Sequence, residues 1–218
     1  MKALRILTLT AAVVGLAVAG RADPFLFIYD HDSGDSQMVA GSGDTVSWTG
    51  SLGEWDLNVS SGAVLEGGSF PSISLSSVGI SNGDGGSSGL SVYLFVSGLG
   101  SSDGLAASTL FSGSTAGSAT SWLFQDNANG ADVFTFDFST LLGSGTFGPG
   151  AFSDAGGAAL DGTPTLYSLA LGLEFHHGDG TQTSSASLNV SVPDQGTTAL
   201  LFALGLIGLG LTGRRLRA

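Results

Sequence analysis

The chain has 218 residues, a formal net charge of −12, 36 Gly, no Cys and 11% charged residues. This length leaves room for one domain with a hydrophobic core, and the absence of Cys excludes disulfides, thiolate metal sites and Cys nucleophiles. The negative charge argues against a nucleic-acid partner, because too few cations are present to neutralise phosphates.

Positive charge is confined to the two ends of the chain. The six basic residues are Lys2, Arg5, Arg21, Arg214, Arg215 and Arg217. The stretch from Asp23 to Pro193 holds all of the 18 acidic residues except Asp194. A folded surface normally mixes both signs, so the separation predicts three segments with different roles, at residues 1–22, 23–191 and 192–218.

The first 22 residues are typical of a secretory signal peptide. Lys2 and Arg5 precede an apolar run, Ile6–Val18, and small residues follow it. Ala19 and Ala22 are the two candidate positions for signal cleavage. The alternative is a buried N-terminal helix, which the charged start and the small residues disfavour.

Residues 23–191 are predicted to form an all-β domain, because apolar and polar residues alternate along several short runs. The clearest runs are Phe25–Tyr29, Trp55–Val59, Ile73–Ile80, Leu90–Val96, Phe134–Phe138, Tyr167–Phe175 and Leu188–Val192. Clusters of Gly, Ser, Asn and Asp between them are typical of turns. We expect an antiparallel β-sandwich or jelly-roll-like domain, flanked by a signal helix and a C-terminal transmembrane helix. Ser153–Leu160 could add one or two helical turns.

A glycine-rich stretch, Gly143–Gly148, matches the dinucleotide-binding fingerprint letter for letter. That fingerprint works only where it opens a helix whose N-terminus meets the pyrophosphate. Pro149 and Gly150 follow at once, and no helical pattern comes after them. We therefore interpret the stretch as a glycine turn.

Two groups of polar residues raise the question of a metal site. Asp30, Asp32 and Asp35 lie in one turn and could chelate a hard cation such as Ca²⁺, but their spacing does not match an EF-hand loop, so a solvated acidic turn is the favoured interpretation. His176 and His177 are adjacent, and adjacent side chains of a strand point to opposite faces. We expect a strand end there, and we predict no metal, no cofactor and no catalytic residue.

The C-terminal segment contains an uncharged apolar run, Thr197–Gly213. As a helix this run would span about 25 Å at about 1.5 Å per residue, which is short for a hydrocarbon core of about 30 Å. Arg214, Arg215 and Arg217 follow it, as the positive-inside rule expects at a cytoplasmic end. An apolar helix packed on the domain is the alternative.

Val192, Pro193, Asp194, Gly196 and Thr198 lie before or at the start of this run. Together with the run and the Arg residues after it, they resemble the C-terminal sorting signal of PEP-CTERM proteins, in particular the variant called VPDSG-CTERM. Gln195 stands where that variant usually has Ser or Gly. The resemblance implies export by the general secretion machinery of a Gram-negative bacterium, transient anchoring in the inner membrane and recognition by an exosortase. It also implies a final place at the cell surface or in the extracellular matrix, together with exopolysaccharide.

Three classes of function fit these observations. The favoured one is an exported, exosortase-processed surface or matrix protein with a structural or interaction role. Its acidic domain could bind polysaccharide through bridging cations. The second is a carbohydrate-binding or adhesin module, in which Trp48, Trp55 and Trp122 could stack on sugar rings; a place in the hydrophobic core is the alternative for these three residues. The third is a secreted hydrolase with paired carboxylates. No pair of acids and no nucleophile–His motif stands out, so we predict that the protein is not an enzyme.

Overall fold

The computed structural model of the protein describes residues 24–43, 45–65, 72–82, 88–99, 102–127, 140–162 and 166–192. Within these ranges the secondary structure is β-strand, and no helix long and apolar enough to cross a bilayer is found in them. The predicted signal peptide with Ala19 and Ala22, the predicted strand Phe134–Phe138 and the predicted sorting signal from Pro193 onwards lie outside them.

The described residues form twelve strands in two six-stranded sheets, and every described pairing is antiparallel. The strands are β1 (Phe25–Asp30), β2 (Ser36–Ala40), β3 (Thr45–Leu52), β4 (Trp55–Leu65), β5 (Ser72–Asn82), β6 (Ser88–Leu99), β7 (Ala106–Thr115), β8 (Ser118–Asp126), β9 (Thr140–Phe147), β10 (Gly150–Ala159), β11 (Tyr167–His177) and β12 (Thr183–Ser191). Sheet I has the order β2-β1-β6-β11-β8-β9, and sheet II has the order β10-β7-β12-β5-β4-β3. The prediction of an all-β, antiparallel domain is confirmed.

The core lies between the two sheets, where the strands place alternate residues, except that β2, β9 and β10 contain no fully buried residue. Sheet I buries Leu26, Ile28, Leu90, Val92, Leu94, Leu123, Leu169, Leu171, Leu173 and Phe175, and sheet II buries Val46, Trp55, Leu57, Val59, Ile73, Leu75, Phe111, Leu188 and Val190. These side chains form one contiguous cluster. Burying each aliphatic or Phe side chain contributes roughly 1.5–3 kcal/mol, so packing of the two inner faces holds the sheets together.

Two local predictions are wrong. Ser153–Leu160 contains no helical turn, because the stretch lies almost entirely in β10, which pairs with β7 along its whole length. Gly156 and Gly157 within it disfavour a helix. The first five residues of the Gly143–Gly148 stretch lie in β9 rather than in a turn, because cross-strand bonds to β8 satisfy their backbone.

Four segments meet at one end of the sandwich, which we call the loop end. They are the end of β1 at Asp30, the turn between β3 and β4 at Gly53, the start of β6 at Ser88 and the end of β11 at His177. The register places His177 opposite Ser88, and Asp30 opposite the next core residue of β6, Leu90. Residues distant in sequence are thereby brought together at this end.

Candidate functional site

The outer face of sheet I carries large rings where a solvated sheet usually carries polar residues. The strand register aligns side chains in rows across the sheet. One row consists of Ala40, Phe25, Phe95, Ala170, Phe124 and Leu141, and the next consists of Met38, Phe27, Tyr93, Gly172, Trp122 and Ser144. The partly exposed rings, which we call the aromatic face, are Phe25, Phe27, Tyr29, Tyr93, Trp122 and Phe124.

The rings of the aromatic face are ordered by contacts with one another. Phe25 stacks on Phe95 with a centroid distance of 4.6 Å. Tyr93 and Trp122 lie on either side of the central strand β11, with centroids 6.5 Å apart and planes within 12° of parallel. Aromatic pairs at such distances contribute about 0.5–1.5 kcal/mol beyond area burial, so the two rings hold each other in place.

Gly172 allows the Tyr93 and Trp122 rings to approach each other over β11. A methyl group at Gly172 would lie 2.8 Å from Cε1 of Tyr93 and 3.2 Å from Cε3 of Trp122. The first distance is shorter than a normal carbon–carbon contact of about 3.5–4.0 Å. A side chain at this position would therefore push the two rings apart.

A polar margin, which consists of His31, Ser91, Glu174 and His176, borders the aromatic face on the side of the loop end. Nε2 of His176 lies 2.7 Å from Oε1 of Glu174, and Nε2 of His31 lies 3.7 Å from the same oxygen. Nε2 of His31 is also 2.8 Å from Oγ of Ser91. Tyr29 contacts His31 edge-on at 5.1 Å, so the ring surface and the polar margin are continuous.

The side chains of the polar margin are open to solvent to different extents. Those of His31 and His176 are 40% and 54% exposed, whereas Glu174 is 17% exposed. Burial raises the pKa of Tyr93; a hydrogen bond with Ser91 opposes this shift, and the Glu174 carboxylate adds to it. A carboxylate and two imidazole groups thus stand beside ring surfaces, in reach of one bound molecule.

His177, next to His176 in the chain, points the other way into the core. It is 2% exposed, and its Nε2 lies 2.7 Å from Oγ of Ser184, which donates a hydrogen bond to Oγ1 of Thr115 at 2.8 Å. Burial lowers the pKa of His177. The expected strand end with two opposed His side chains is confirmed.

The three Trp residues, for which stacking on sugars and a place in the core were both open, lie in different environments. Trp55 is fully buried and packs against the ring of His177 at 4.9 Å, so the core alternative holds for this residue. Trp48 is partly buried against the core from β3. Trp122 alone among the three belongs to the aromatic face.

The turn from Asp30 to Asp35 is only partly the solvated acidic turn expected. Asp32 and Asp35 are exposed, but Asp30 is 2% exposed, and its carboxylate accepts hydrogen bonds from the Asp32 amide and the Ser33 hydroxyl. Its position at the inward-facing end of β1 explains this burial. The described residues include no group of three or more His, Asp or Glu side chains placed to hold a metal ion.

Of the residues predicted to form the sorting signal, the described part of the chain includes Val192. Its side chain is 1% exposed and belongs to the core cluster, directly after β12. The others, Pro193, Asp194, Gly196, Thr198, Arg214, Arg215 and Arg217, lie outside the described residues.

Sequence reasoning did not find the aromatic face, although one signal for it was present. Tyr93 and Phe95 lie between the inward-facing Leu90, Val92, Leu94 and Val96, so β6 is apolar on both sides. Such a strand is covered on both faces or carries a binding surface. Which rings lie next to them depends on the strand order of sheet I, which alternation does not specify.

No protein-family model matches the chain, and no curated protein matches its sequence. Solved structures that are similar to this chain include the following two. The K1 cleaved adhesin domain of Lys-gingipain from Porphyromonas gingivalis W83 has a TM-score of 0.36 at 14% identity, over 70% of this chain and 99% of that one. TmCBM61, solved in complex with β-1,4-galactotriose, has a TM-score of 0.28 at 9% identity, over 64% of this chain and 90% of that one. Since both TM-scores are below 0.5, any functional argument depends on this chain's own side chains.

Proposed function

We propose that this protein is an exported surface or matrix protein whose β-sandwich binds carbohydrate through the aromatic face of sheet I. The observation that carries the proposal is the near-parallel pair Tyr93 and Trp122 beside the Glu174–His176 contact. The role is binding rather than catalysis.

A sugar ring presents two kinds of surface, and the site offers a counterpart for each. Its C–H groups form an apolar patch that packs on aromatic rings, and its hydroxyls require hydrogen-bond donors and acceptors. Tyr93 and Trp122 supply the first, and Glu174 and His176 supply the second. The carboxylate accepts from hydroxyls, whereas an imidazole can donate or accept.

Export and sorting belong to the same proposal and are supported by the sequence. The charged and apolar pattern of residues 1–22 favours secretion, and the resemblance of residues 192–218 to the VPDSG-CTERM signal favours recognition by an exosortase and transient anchoring in the inner membrane. Exopolysaccharide at the cell surface is then the natural carbohydrate partner. The intact mass of the native protein tests this: loss of both terminal segments is expected, and an uncut chain would contradict it.

The binding proposal is tested by affinity electrophoresis of the full-length chain in gels that contain neutral β-linked polysaccharides of glucose, galactose or mannose. At least one of them is expected to retard the chain. Trp122→Ala is expected to abolish the retardation, because it removes one of the two parallel rings. Trp48→Ala is the matched control, since it removes the same side chain from the other sheet.

Retardation in none of the gels, or equal retardation of Trp122→Ala and the unmodified chain, would contradict the proposal. Loss of retardation in Trp48→Ala alone would also contradict it, since the binding surface would then lie on sheet II. Circular dichroism of each variant shows that the β-sandwich is retained.

A further inference from the structure

The positive charge that the acidic domain can present to a ligand is confined to one place. Between Arg21 and Arg214 the sequence contains no Lys or Arg, so its three His residues are the side chains there that can become positive. His177 is 2% exposed and points into the core. His31 and His176 are 40% and 54% exposed, and both belong to the polar margin. A positively charged contact with a ligand of this domain therefore has to form at the border of the aromatic face.

His31 and His176 lie close together across Gly89 of β6. The register pairs His176 with Gly89, whose carbonyl accepts a hydrogen bond from the His31 amide at 2.9 Å. The centroids of the two imidazole rings are 6.2 Å apart. A methyl group at Gly89 would lie 3.0 Å from Nδ1 of His176 and 3.3 Å from Cδ2 of His31, which is shorter than the usual contact of about 3.5–4.0 Å. The absence of a side chain at this position therefore lets the two rings approach each other.

The contact between His176 and Glu174 leaves one ring nitrogen of His176 for a ligand. Nε2 of His176 lies 2.7 Å from Oε1 of Glu174, and Nδ1, on the other side of the ring, lies near Gly89. A protonated imidazole donates from both nitrogens. Since Gly89 has no side chain that accepts a hydrogen bond, the Nδ1–H of a protonated His176 is open to an anionic group on a bound molecule.

The charge of this region depends on pH. Imidazoles change from neutral to positive between about pH 8 and 5, whereas carboxylates remain ionised. At the upper end of this range the charges are those of Glu174 and of the exposed Asp32, whose carboxylate accepts from the Gly89 amide at 3.1 Å, and they repel an anionic ligand. Protonation of His31 and His176 offsets both carboxylates and adds N–H donors, so the region then accepts an anion.

The polar groups that face the two imidazoles from the neighbouring strands do not titrate in this range. They are the hydroxyl groups of Tyr29 on β1, Ser91 and Tyr93 on β6, and Ser118 and Thr120 on β8. Tyr hydroxyls ionise near pH 10, and burial raises the pKa of Tyr93 further. The change of charge between about pH 7.5 and 5.5 therefore comes from the imidazoles.

The distance between the polar margin and the ring pair determines the size of the ligand. Gly172, which lies between Tyr93 and Trp122, is four residues from His176 in β11, or roughly 13 Å at about 3.4 Å per residue. This distance is longer than one sugar ring. The group at the imidazoles and the ring stacked on the aromatic pair therefore belong to different residues of one saccharide chain. A carboxylate on a sugar suits the first position, because protonated imidazoles bind carboxylates through charge-assisted hydrogen bonds.

We propose that the polar margin is the subsite for the carboxylate of a uronic acid residue, with the protonated imidazoles of His31 and His176 as its partners. A neighbouring sugar ring of the same chain then lies on Tyr93 and Trp122. The inference rests on the proposed function, because it uses the same aromatic face, and it adds a substrate class. Neutral saccharides bind at neutral and at acidic pH, whereas acidic saccharides bind mainly at acidic pH.

The test is isothermal titration calorimetry of the full-length chain at about pH 7.5 and pH 5.5, on either side of the imidazole titration, and at one ionic strength. The titrants are β-1,4-linked trisaccharides of glucose, galactose and mannose, each compared with the form in which the C6 hydroxymethyl groups are oxidised to carboxylates. At least one uronate form is expected to bind about tenfold more tightly at the lower pH, as for one new charge-assisted hydrogen bond. Its neutral counterpart should change by less than about threefold.

Two variants assign the pH dependence to the polar margin. The double variant His31→Gln and His176→Gln is expected to bind the uronate trisaccharide equally at the two pH values, because Gln gains no charge. His177→Gln is the matched control, since it removes the third imidazole from the core, and it should retain the tenfold difference. Circular dichroism at both pH values shows that each variant keeps the β-sandwich. Sodium acetate tests a carboxylate without a sugar ring and is expected not to bind.

The inference is overturned if no uronate trisaccharide binds, if binding is equal at both pH values, or if the double variant keeps the difference. Binding of sodium acetate with the same pH dependence would also overturn it, because no saccharide would then be needed. Failure of the proposed function is seen separately, as neutral trisaccharides that bind at neither pH or that bind equally to Trp122→Ala.

Discussion

The two outer faces of the sandwich have the same alternating backbone but different chemistry. On sheet I the outward positions carry rings and the Glu174–His176 pair, whereas on sheet II they carry mainly small hydroxyl and amide side chains, together with the exposed Leu110. The hydroxyl and amide side chains bond to one another: Thr49 donates to Asn58 across β3 and β4 at 3.2 Å, and Asn189 donates to Ser187 along β12 at 2.9 Å.

The difference shows that stability of the sandwich does not require rings on an outer face. Sheet II forms with Ser, Thr and Asn in its outward positions, because the core between the sheets supplies the main stabilisation. Cross-strand pairs on a solvated face contribute only about 0.2–1 kcal/mol each. The partly exposed rings of sheet I pack on Phe95 and Ala170 and so add stability, and their remaining exposed surface is what the proposed binding would use.

The largest effect is expected when the rings on the outer face of sheet I are replaced with small polar side chains like those of sheet II. Replacing both Tyr93 and Trp122 with Ser is expected to abolish polysaccharide binding, because both faces of the ring pair are lost. The loss of the pair and of its buried area should lower the free energy of unfolding by about 2–4 kcal/mol. Affinity electrophoresis and urea denaturation measure the two effects. Retained binding would show that the ring pair is not the binding surface.

A smaller change disturbs the ring pair without removing it. Gly172→Ala is expected to weaken polysaccharide binding about tenfold and to destabilise the domain by about 1–3 kcal/mol, because the added methyl forces Tyr93 to move. Gly143→Ala in β9 is the matched control, since a methyl there meets no atom within 4 Å. Affinity electrophoresis and urea denaturation again measure binding and stability. Equal binding and equal stability of the two variants would contradict the role of Gly172.

His176 and His177 are adjacent in β11, and their side chains lie on the outer and the inner face of this strand. The pKa of the buried His177 is lowered, so below the unfolded value of about 6.5 the unfolded chain binds a proton that the folded chain does not. The titration of His177 therefore leaves the free energy of unfolding unchanged above about pH 6.5. Below that pH it lowers the free energy of unfolding by at most about 1.4 kcal/mol per pH unit. Thermal unfolding between about pH 7 and 5 should show that His177→Gln lessens this fall and that the control His176→Gln does not. An unchanged fall in His177→Gln would contradict the assignment.

The smallest effect is expected on sheet II. Thr49→Ala removes one exposed hydrogen bond to Asn58, so the free energy of unfolding should change by less than about 0.5 kcal/mol, and polysaccharide binding should not change. Urea denaturation measures the free energy of unfolding, and affinity electrophoresis measures polysaccharide binding. A loss of binding would move the proposed site to the other sheet.

The strands that could be predicted from sequence are those with large inward side chains. Leu90, Val92 and Leu94 of β6, and Leu169 and Leu171 of β11, produce a clear alternation. Six strands were missed, namely β2, β3, β7, β8, β9 and β10, and three of them, β7, β9 and β10, contain mostly Ala, Gly, Ser and Thr. Small residues on both faces show no alternation, and only pairing with a neighbour makes such a segment a strand.

The aromatic face could not be predicted, because it depends on strand order. Tyr93 and Trp122 are neighbours only since β11 lies between β6 and β8. The acidic turn at Asp30 was visible in the sequence, but the burial of the Asp30 side chain was not.

The burial of Val192 has a consequence for the proposed sorting route. A protease reads side chains on both sides of the bond it cuts, yet this Val is 1% exposed and is held by the neighbouring core residues. In the folded sandwich the Val192 side chain is therefore not accessible to an enzyme, whereas in an incompletely folded chain it is. Maturation by an enzyme that needs Val192 would have to loosen the last strand first, and the timing of the cut would then depend on whether the domain has finished folding.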